Sequence, residues 1–130
     1  MDVKQLVDLA AKAKENAYVP YSNFRVGAAL LTKNGKIYTG CNIENASLGA
    51  TNCAERTAIF KAVSEGNREF EAIAINADTE DLTFPCGICR QVMFEFSRDL
   101  RLYISNKNGD YKEYTIKELL PGAFTGDDLK

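Results

Sequence analysis

The run Ala72-Ile73-Ala74-Ile75 has no polar face, and this constrains the fold more than any other feature of the chain. A strand of that kind is covered on both sides, so it belongs in the middle of a sheet with helices above and below it. Periodicity by itself also admits a short buried helix; we read the run as the third strand.

The segments around it supply the other elements. Leu6, Val7, Leu9, Ala10, Ala13 and Ala17 recur at helical spacing, which predicts an amphipathic helix over 2–17, ended by Pro20. Two strand-like stretches, Phe24 to Leu31 and Ile37 to Cys41, enclose Lys33-Asn34-Gly35-Lys36, and an Asn-Gly pair between such runs signals an antiparallel hairpin. Ala54, Ala58, Ile59, Ala62 and Val63 predict a second helix over 54–64, with Gly66 placed to stop it. After Pro85, the residues Ile88, Val92, Met93 and Phe96 predict a third helix. Strand-like Leu102 to Ile104 follows, and an Asn108-Gly109 turn leads to Tyr111 to Ile116, a second antiparallel hairpin. The expected fold class is α/β: three α/β/α layers around a mixed five-stranded sheet, with an N-terminal antiparallel hairpin, central parallel strands and a C-terminal antiparallel hairpin. At 130 residues and 45% hydrophobic content the chain is expected to form one domain over 1–130. The tail Gly126 to Lys130 is read as dispensable.

Charge narrows the function. Sixteen Lys and Arg stand against 18 Asp and Glu, scattered rather than gathered into a basic groove, which argues against a nucleic-acid partner. The first 16 residues mix Asp2, Lys4, Asp8, Lys12, Lys14 and Glu15 with apolar ones, so no signal-peptide core is expected. No apolar run approaches the roughly 20 residues that span a bilayer. A cytoplasmic location without membrane partners is the expectation, and there four cysteines point to metal binding or catalysis in place of disulfides. The absence of histidine excludes imidazole as ligand, base or nucleophile.

The chemistry concentrates in Cys53-Ala54-Glu55 and Pro85-Cys86-Gly87-Ile88-Cys89. Cys86 and Cys89 lie three apart at a helix start, where their sulfurs share a face and the helix N-terminus favours thiolates. Cys53, at another helix start, is available as a third ligand. Catalytic zinc takes three protein ligands, with Zn–S near about 2.3 Å, and keeps a fourth position for water. Glu55, two residues beyond Cys53, is angularly offset from it and suited to carry the proton of that water. Three thiolates on one divalent ion leave a net negative charge. Arg56 is expected to compensate by donating to the ligating sulfurs, with Arg90 a weaker candidate.

These segments resemble the zinc-deaminase signature, a ligand and Glu followed by Pro-Cys-x-x-Cys. With Cys as the first ligand and Ala17-Tyr18-Val19-Pro20-Tyr21-Ser22-Asn23-Phe24-Arg25-Val26-Gly27-Ala28-Ala29-Leu30, the chain resembles the homotetrameric zinc-dependent cytidine deaminases of the cytidine/deoxycytidylate deaminase family from Ala17 to Phe124. The resemblance implies hydrolytic deamination of cytidine, and of deoxycytidine, to uridine or deoxyuridine plus ammonia in pyrimidine salvage. It implies one zinc per subunit on Cys53, Cys86 and Cys89, with Glu55 as general acid and base. It also implies Asn42 and Glu44 as ribose partners, Phe24 against the base, and Ala54 among the substrate contacts. A tetramer with shared sites would bring Phe124 to a neighbouring subunit. Leu48 departs from the aromatic, and Asn52 from the apolar residue, usual at those positions.

Other readings remain open at this stage. Cys86 and Cys89 could form a redox dithiol, or Cys41 could complete a closed four-cysteine structural zinc site, although Cys41 ends a strand and is read as core. Without the cysteines, Glu55 would be an ordinary first-turn carboxylate and Arg56 an exposed helix arginine. Asn42 and Glu44 would be turn-formers, and Phe24 and Phe124 core aromatics. An aminonucleoside antibiotic or a modified base is the nearest alternative substrate.

Overall fold

The computed structural model describes residues 1–129; Lys130, the last residue of the predicted dispensable tail, lies outside them. Five strands lie in the order β2-β1-β3-β4-β5. They are β1 (Val26–Thr32), β2 (Ile37–Cys41), β3 (Phe70–Ala77), β4 (Arg101–Ser105) and β5 (Tyr111–Thr115). Helices α1 (Val3–Ala13), α2 (Ala54–Ser64), α3 (Gly87–Phe96) and the short α4 (Ile116–Leu119) cover them. β3 pairs antiparallel with β1 and parallel with β4, the crossover being α3, while β1/β2 and β4/β5 are antiparallel hairpins. This is the expected mixed α/β sheet.

Alternation along the strands sets the layers. Ala28, Leu30, Ile73, Ile75, Leu102 and Ile104 point to one face, where α2 and α3 bury Ala54, Ala58, Ile59, Ala62, Cys89 and Met93 against them. The intervening residues Ala29, Ala72, Ala74 and Tyr103 meet Leu6, Val7 and Ala10 of α1 on the other face. Small side chains on that second face let α1 lie close.

Two glycines take the closest approaches. A Cβ on Gly27 would stand 2.0 Å from the Ala10 carbonyl oxygen, and one on Gly40 would stand 2.6 Å from both the Ala54 oxygen and the Ala58 nitrogen. Gly40 thus seats α2 directly on β2 and fixes where Cys53 and Glu55 emerge.

Several boundaries differ from the expectation. α1 is capped by the Asp2–Gln5 capping box and ends at Ala13, with Lys14–Asn16 continuing as a 3₁₀ turn in place of a helix to residue 17. β3 runs past Ile75 because Asn76 is buried with its amide satisfied: it accepts from Lys14 Nζ at 2.7 Å and donates to Ser105 Oγ at 2.9 Å and the Asn106 carbonyl at 2.7 Å. Ile116 opens α4 and does not extend β5, because Thr115 and Glu118 form a second capping box. Ile88 is 62% exposed, so the buried stripe of α3 is Cys89 and Met93. The tail forms a 3₁₀ turn, Gly126–Leu129, with Asp127 3.7 Å from Arg98.

Candidate active site

Cys53 is the N-cap of α2 and Cys86 the N-cap of α3, both in extended backbone, so each side chain leaves its helix at the positive end of the dipole. Cys89, on the first turn of α3, donates its N–H to Cys86 Sγ at 3.4 Å. The sulfurs of Cys53 and Cys86 are 3.7 Å apart, and all three lie within 4.8 Å of one another. Tetrahedral bonds of about 2.3 Å place two sulfurs about 3.8 Å apart, so the cluster fits a zinc ion. Cys41 is half-buried and does not belong to this cluster.

The thiols titrate together. Cys53 is lowered to about 5, first by the hydrogen bond from Cys89, then by Arg56 and Cys86, against the opposing effect of burial. Arg56 Nη2 donates to Cys53 Sγ at 3.1 Å. Burial works against the Arg56 charge, but hydrogen bonds to Cys53 and Cys89 override it and raise its pKa. Arg90 does otherwise than expected: its guanidinium donates to the carbonyls of Pro85 and Leu119.

Glu55, on the first turn of α2, is buried to 4% exposure. Burial pushes its carboxyl up to about 7, and the charge of Cys53 adds to the shift, against a hydrogen bond from Cys89 and the charge of Arg56. A carboxyl half-protonated near neutrality both accepts and donates a proton readily.

A cleft of about 210 Å³ opens beside the sulfurs, lined by Phe24, Asn42, Ala54, Glu55, Cys53 and Cys86 together with Val26, Thr83 and Phe84. Ala54 begins α2, where the helix leaves its backbone N–H without an internal partner. The Asn42 side chain brackets the strand entry: Nδ2 donates to the Phe24 carbonyl at 2.7 Å and Oδ1 accepts from Val26 N–H at 2.9 Å, leaving one donor and one acceptor position spare. Asn23, at φ 57, turns the chain immediately before Phe24.

Glu44 lines a second hollow of about 370 Å³ with Tyr21, Ser22, Leu48 and Thr51. Its carboxylate accepts the N–H groups of Tyr21 (3.0 Å) and Ser22 (3.1 Å) and the Ser22 hydroxyl, which holds its pKa below the usual range, the hydroxyl bond first. Backbone bonds from Tyr18 to Asn42 and between Ile43 and Asn52 stitch this loop to the residue preceding Cys53. Asn52 Nδ2 donates to Thr57 Oγ1 at 3.1 Å. Phe124 is 56% exposed and is not among the residues lining the cleft; Gln91 Nε2 donates to its carbonyl at 2.7 Å. Sequence reasoning missed Thr83 and Phe84, which sit on an irregular segment with no periodicity; their only signal is adjacency to Pro85-Cys86.

Three thiols at two helix starts beside a buried carboxyl, in an α/β/α sandwich, define a protein with a three-thiolate zinc site. The family described as cytidine and deoxycytidylate deaminase zinc-binding region matches residues 1–105. The chain belongs to the cytidine and deoxycytidylate deaminase family. It is 57% identical to a cytidine deaminase of Sporosarcina psychrophila, covering 99% of this chain and 96% of that one. To a cytidine deaminase of Halalkalibacterium halodurans it is 58% identical, covering 99% and 98%. Its fold matches the crystal structure of cytidine deaminase from Burkholderia pseudomallei with a TM-score of 0.93 at 50% identity, covering 95% of this chain and all of that one.

Proposed function

We propose that the chain, as one domain over 1–130, hydrolytically deaminates cytidine and deoxycytidine to uridine and deoxyuridine with release of ammonia, a pyrimidine salvage step. The observation that carries this is the buried Glu55 carboxyl in the same small cleft as Cys53 and Cys86. Cys53, Cys86 and Cys89 hold one zinc ion, whose Lewis acidity brings water within reach of deprotonation near neutral pH. Glu55 takes one proton from the attacking water and delivers it to the ring nitrogen as oxygen adds to C4 of the base; it then takes the second from the new C4 hydroxyl and passes it to the amine, which departs as ammonia. Arg56, at 3.1 Å from Cys53 Sγ, withdraws charge from the thiolates. Phe24 offers a face to the planar base, Ala54 a backbone N–H, and Asn42 and Glu44 their remaining hydrogen-bonding positions to the sugar.

The same reading makes the protein a cytoplasmic homotetramer with shared sites. Tyr21, Leu48, Phe84 and Phe124 are each more than 40% exposed, apolar groups available to a second copy, and the Phe124 ring would enter a neighbouring cleft. Among the described residues no helix is long and apolar enough to cross a membrane.

Ammonia release across a panel of ribo- and deoxyribonucleosides, with zinc measured in the same sample, tests the assignment. Turnover of cytidine with one zinc per chain is expected. Absence of turnover on every cytosine nucleoside by zinc-loaded protein would defeat it.

A further inference from the structure

Pro85 is buried and immediately precedes Cys86. Its carbonyl lies ahead of the α3 ladder, and a buried carbonyl left without a partner is destabilising. Arg90 supplies that partner from one turn further along: Nε donates to the Pro85 oxygen at 2.9 Å. The backbone N–H of the same residue donates to the Cys86 oxygen at 3.0 Å. The two peptide planes flanking the Cys86 Cα are therefore both held by Arg90, one through its side chain and one through its main chain. Those planes fix φ and ψ of Cys86, observed at −68° and 168°, and with them the direction of its Cα–Cβ bond. Nη1 of the same guanidinium donates to the Leu119 oxygen at 2.9 Å, at the end of α4, where last-turn carbonyls lack helical partners. That second bond keeps the guanidinium from rotating away from Pro85.

We propose that Arg90 is the positioning residue for the Cys86 ligand, a role resting on the zinc-site reading above. Its guanidinium bonds carbonyl oxygens, whereas that of Arg56 bonds a ligating sulfur. Its planar fork reaches two carbonyls in a fixed geometry, which a lysine ammonium, as a point charge on a flexible stem, does not reproduce. Gln91 provides the contrast, since its side chain donates to the Phe124 carbonyl and so ties the C-terminal segment to α3.

The test uses the zinc-loaded protein and its Arg90→Lys, Arg90→Gln and Gln91→Ala variants, with folding of each checked by circular dichroism. Zinc release to a chromophoric chelator is expected to accelerate about 10-fold or more in both Arg90 variants, the scale typical of residues that orient metal ligands. In cobalt(II)-substituted protein the thiolate-to-metal charge-transfer band is expected to shift or weaken in those variants, while Gln91→Ala leaves release and spectrum unchanged. Should Arg90→Gln fail to fold, the milder Arg90→Lys carries the comparison. Release rates in folded Arg90 variants within twofold of wild type would overturn the proposal, as would equal acceleration in Gln91→Ala. Wild-type protein without bound zinc would overturn the site reading and this proposal with it.

Discussion

Arg56 Nη2 lies 3.1 Å from Cys53 Sγ, one turn along α2, so the helix that presents the first sulfur also presents the cation that stabilises its charge. Replacing Arg56 with Gln keeps the stem and removes the charge. Deamination is expected to slow, and zinc affinity to fall about 10- to 100-fold. Unchanged rate and unchanged zinc retention together would remove the assigned role.

Glu55→Gln preserves shape and removes the titrating carboxyl from a site where burial holds it near neutrality. One zinc per chain is expected to remain, with turnover reduced about 10²- to 10⁴-fold. Rate measurement and elemental analysis on the same preparation decide the matter; a rate within a factor of a few of wild type is the contrary result.

Cys41 separates a catalytic site from a closed four-cysteine knot. It stands outside the sulfur cluster, with its thiol raised by burial at the end of β2. Cys41→Ala is expected to keep full zinc stoichiometry and to change stability by only about 1 kcal/mol. Loss of the metal from this variant would favour the structural knot.

Gly40→Ala introduces a Cβ 2.6 Å from two backbone atoms of α2, neither of which can rotate away. Overpacking of this kind costs about 1–3 kcal/mol or more. At roughly 3–5 °C per kcal/mol for a domain of this size, a thermal midpoint at least several degrees lower is expected. Calorimetry on the two proteins checks it; an unaltered midpoint would mean that α2 sits less tightly on β2 than described.

Asp78 is expected to contribute to stability in acid. Its carboxyl accepts from Arg25 Nε at 2.6 Å and Lys14 Nζ at 2.9 Å, and its pKa is lowered, by the Arg25 bond first and then Lys14, against burial. The unfolded chain, with an Asp near about 3.9, then binds more protons than the folded one in the interval between the two values. The stabilisation is complete above the unfolded value and is lost as pH falls through the folded one. Urea midpoints measured between pH 6 and pH 3 are expected to drop less steeply for Asp78→Asn than for wild type, from a lower starting point. Parallel curves would contradict the assignment.

The reach of sequence reasoning followed the physics of each segment. α2 appeared with the expected bounds because its apolar spacing and the stop at Gly66, which has φ +88, agree. The three thiols and Glu55 were legible because ligand spacing at helix starts is a local property. Asn76 misled the strand boundary, since a polar residue reads as an end unless its buried partners, Lys14, Ser105 and Asn106, are known, and these lie 29 to 62 residues away. The helical start at Thr115 is written locally, in the Thr-x-x-Glu pattern. Arg90 illustrates the limit: nothing in its neighbourhood announces a bond to Leu119, 29 residues on.

Gly40 divides the molecule into a chassis and an adjustable rim. With no side chain between β2 and α2, the sheet and the helix carrying Cys53 and Glu55 meet backbone to backbone as one block. Phe24, Thr83 and Phe84 sit outside that block, on connecting segments around the cleft mouth. Retuning this scaffold toward other bases is therefore a matter of rewriting the rim while leaving the block intact.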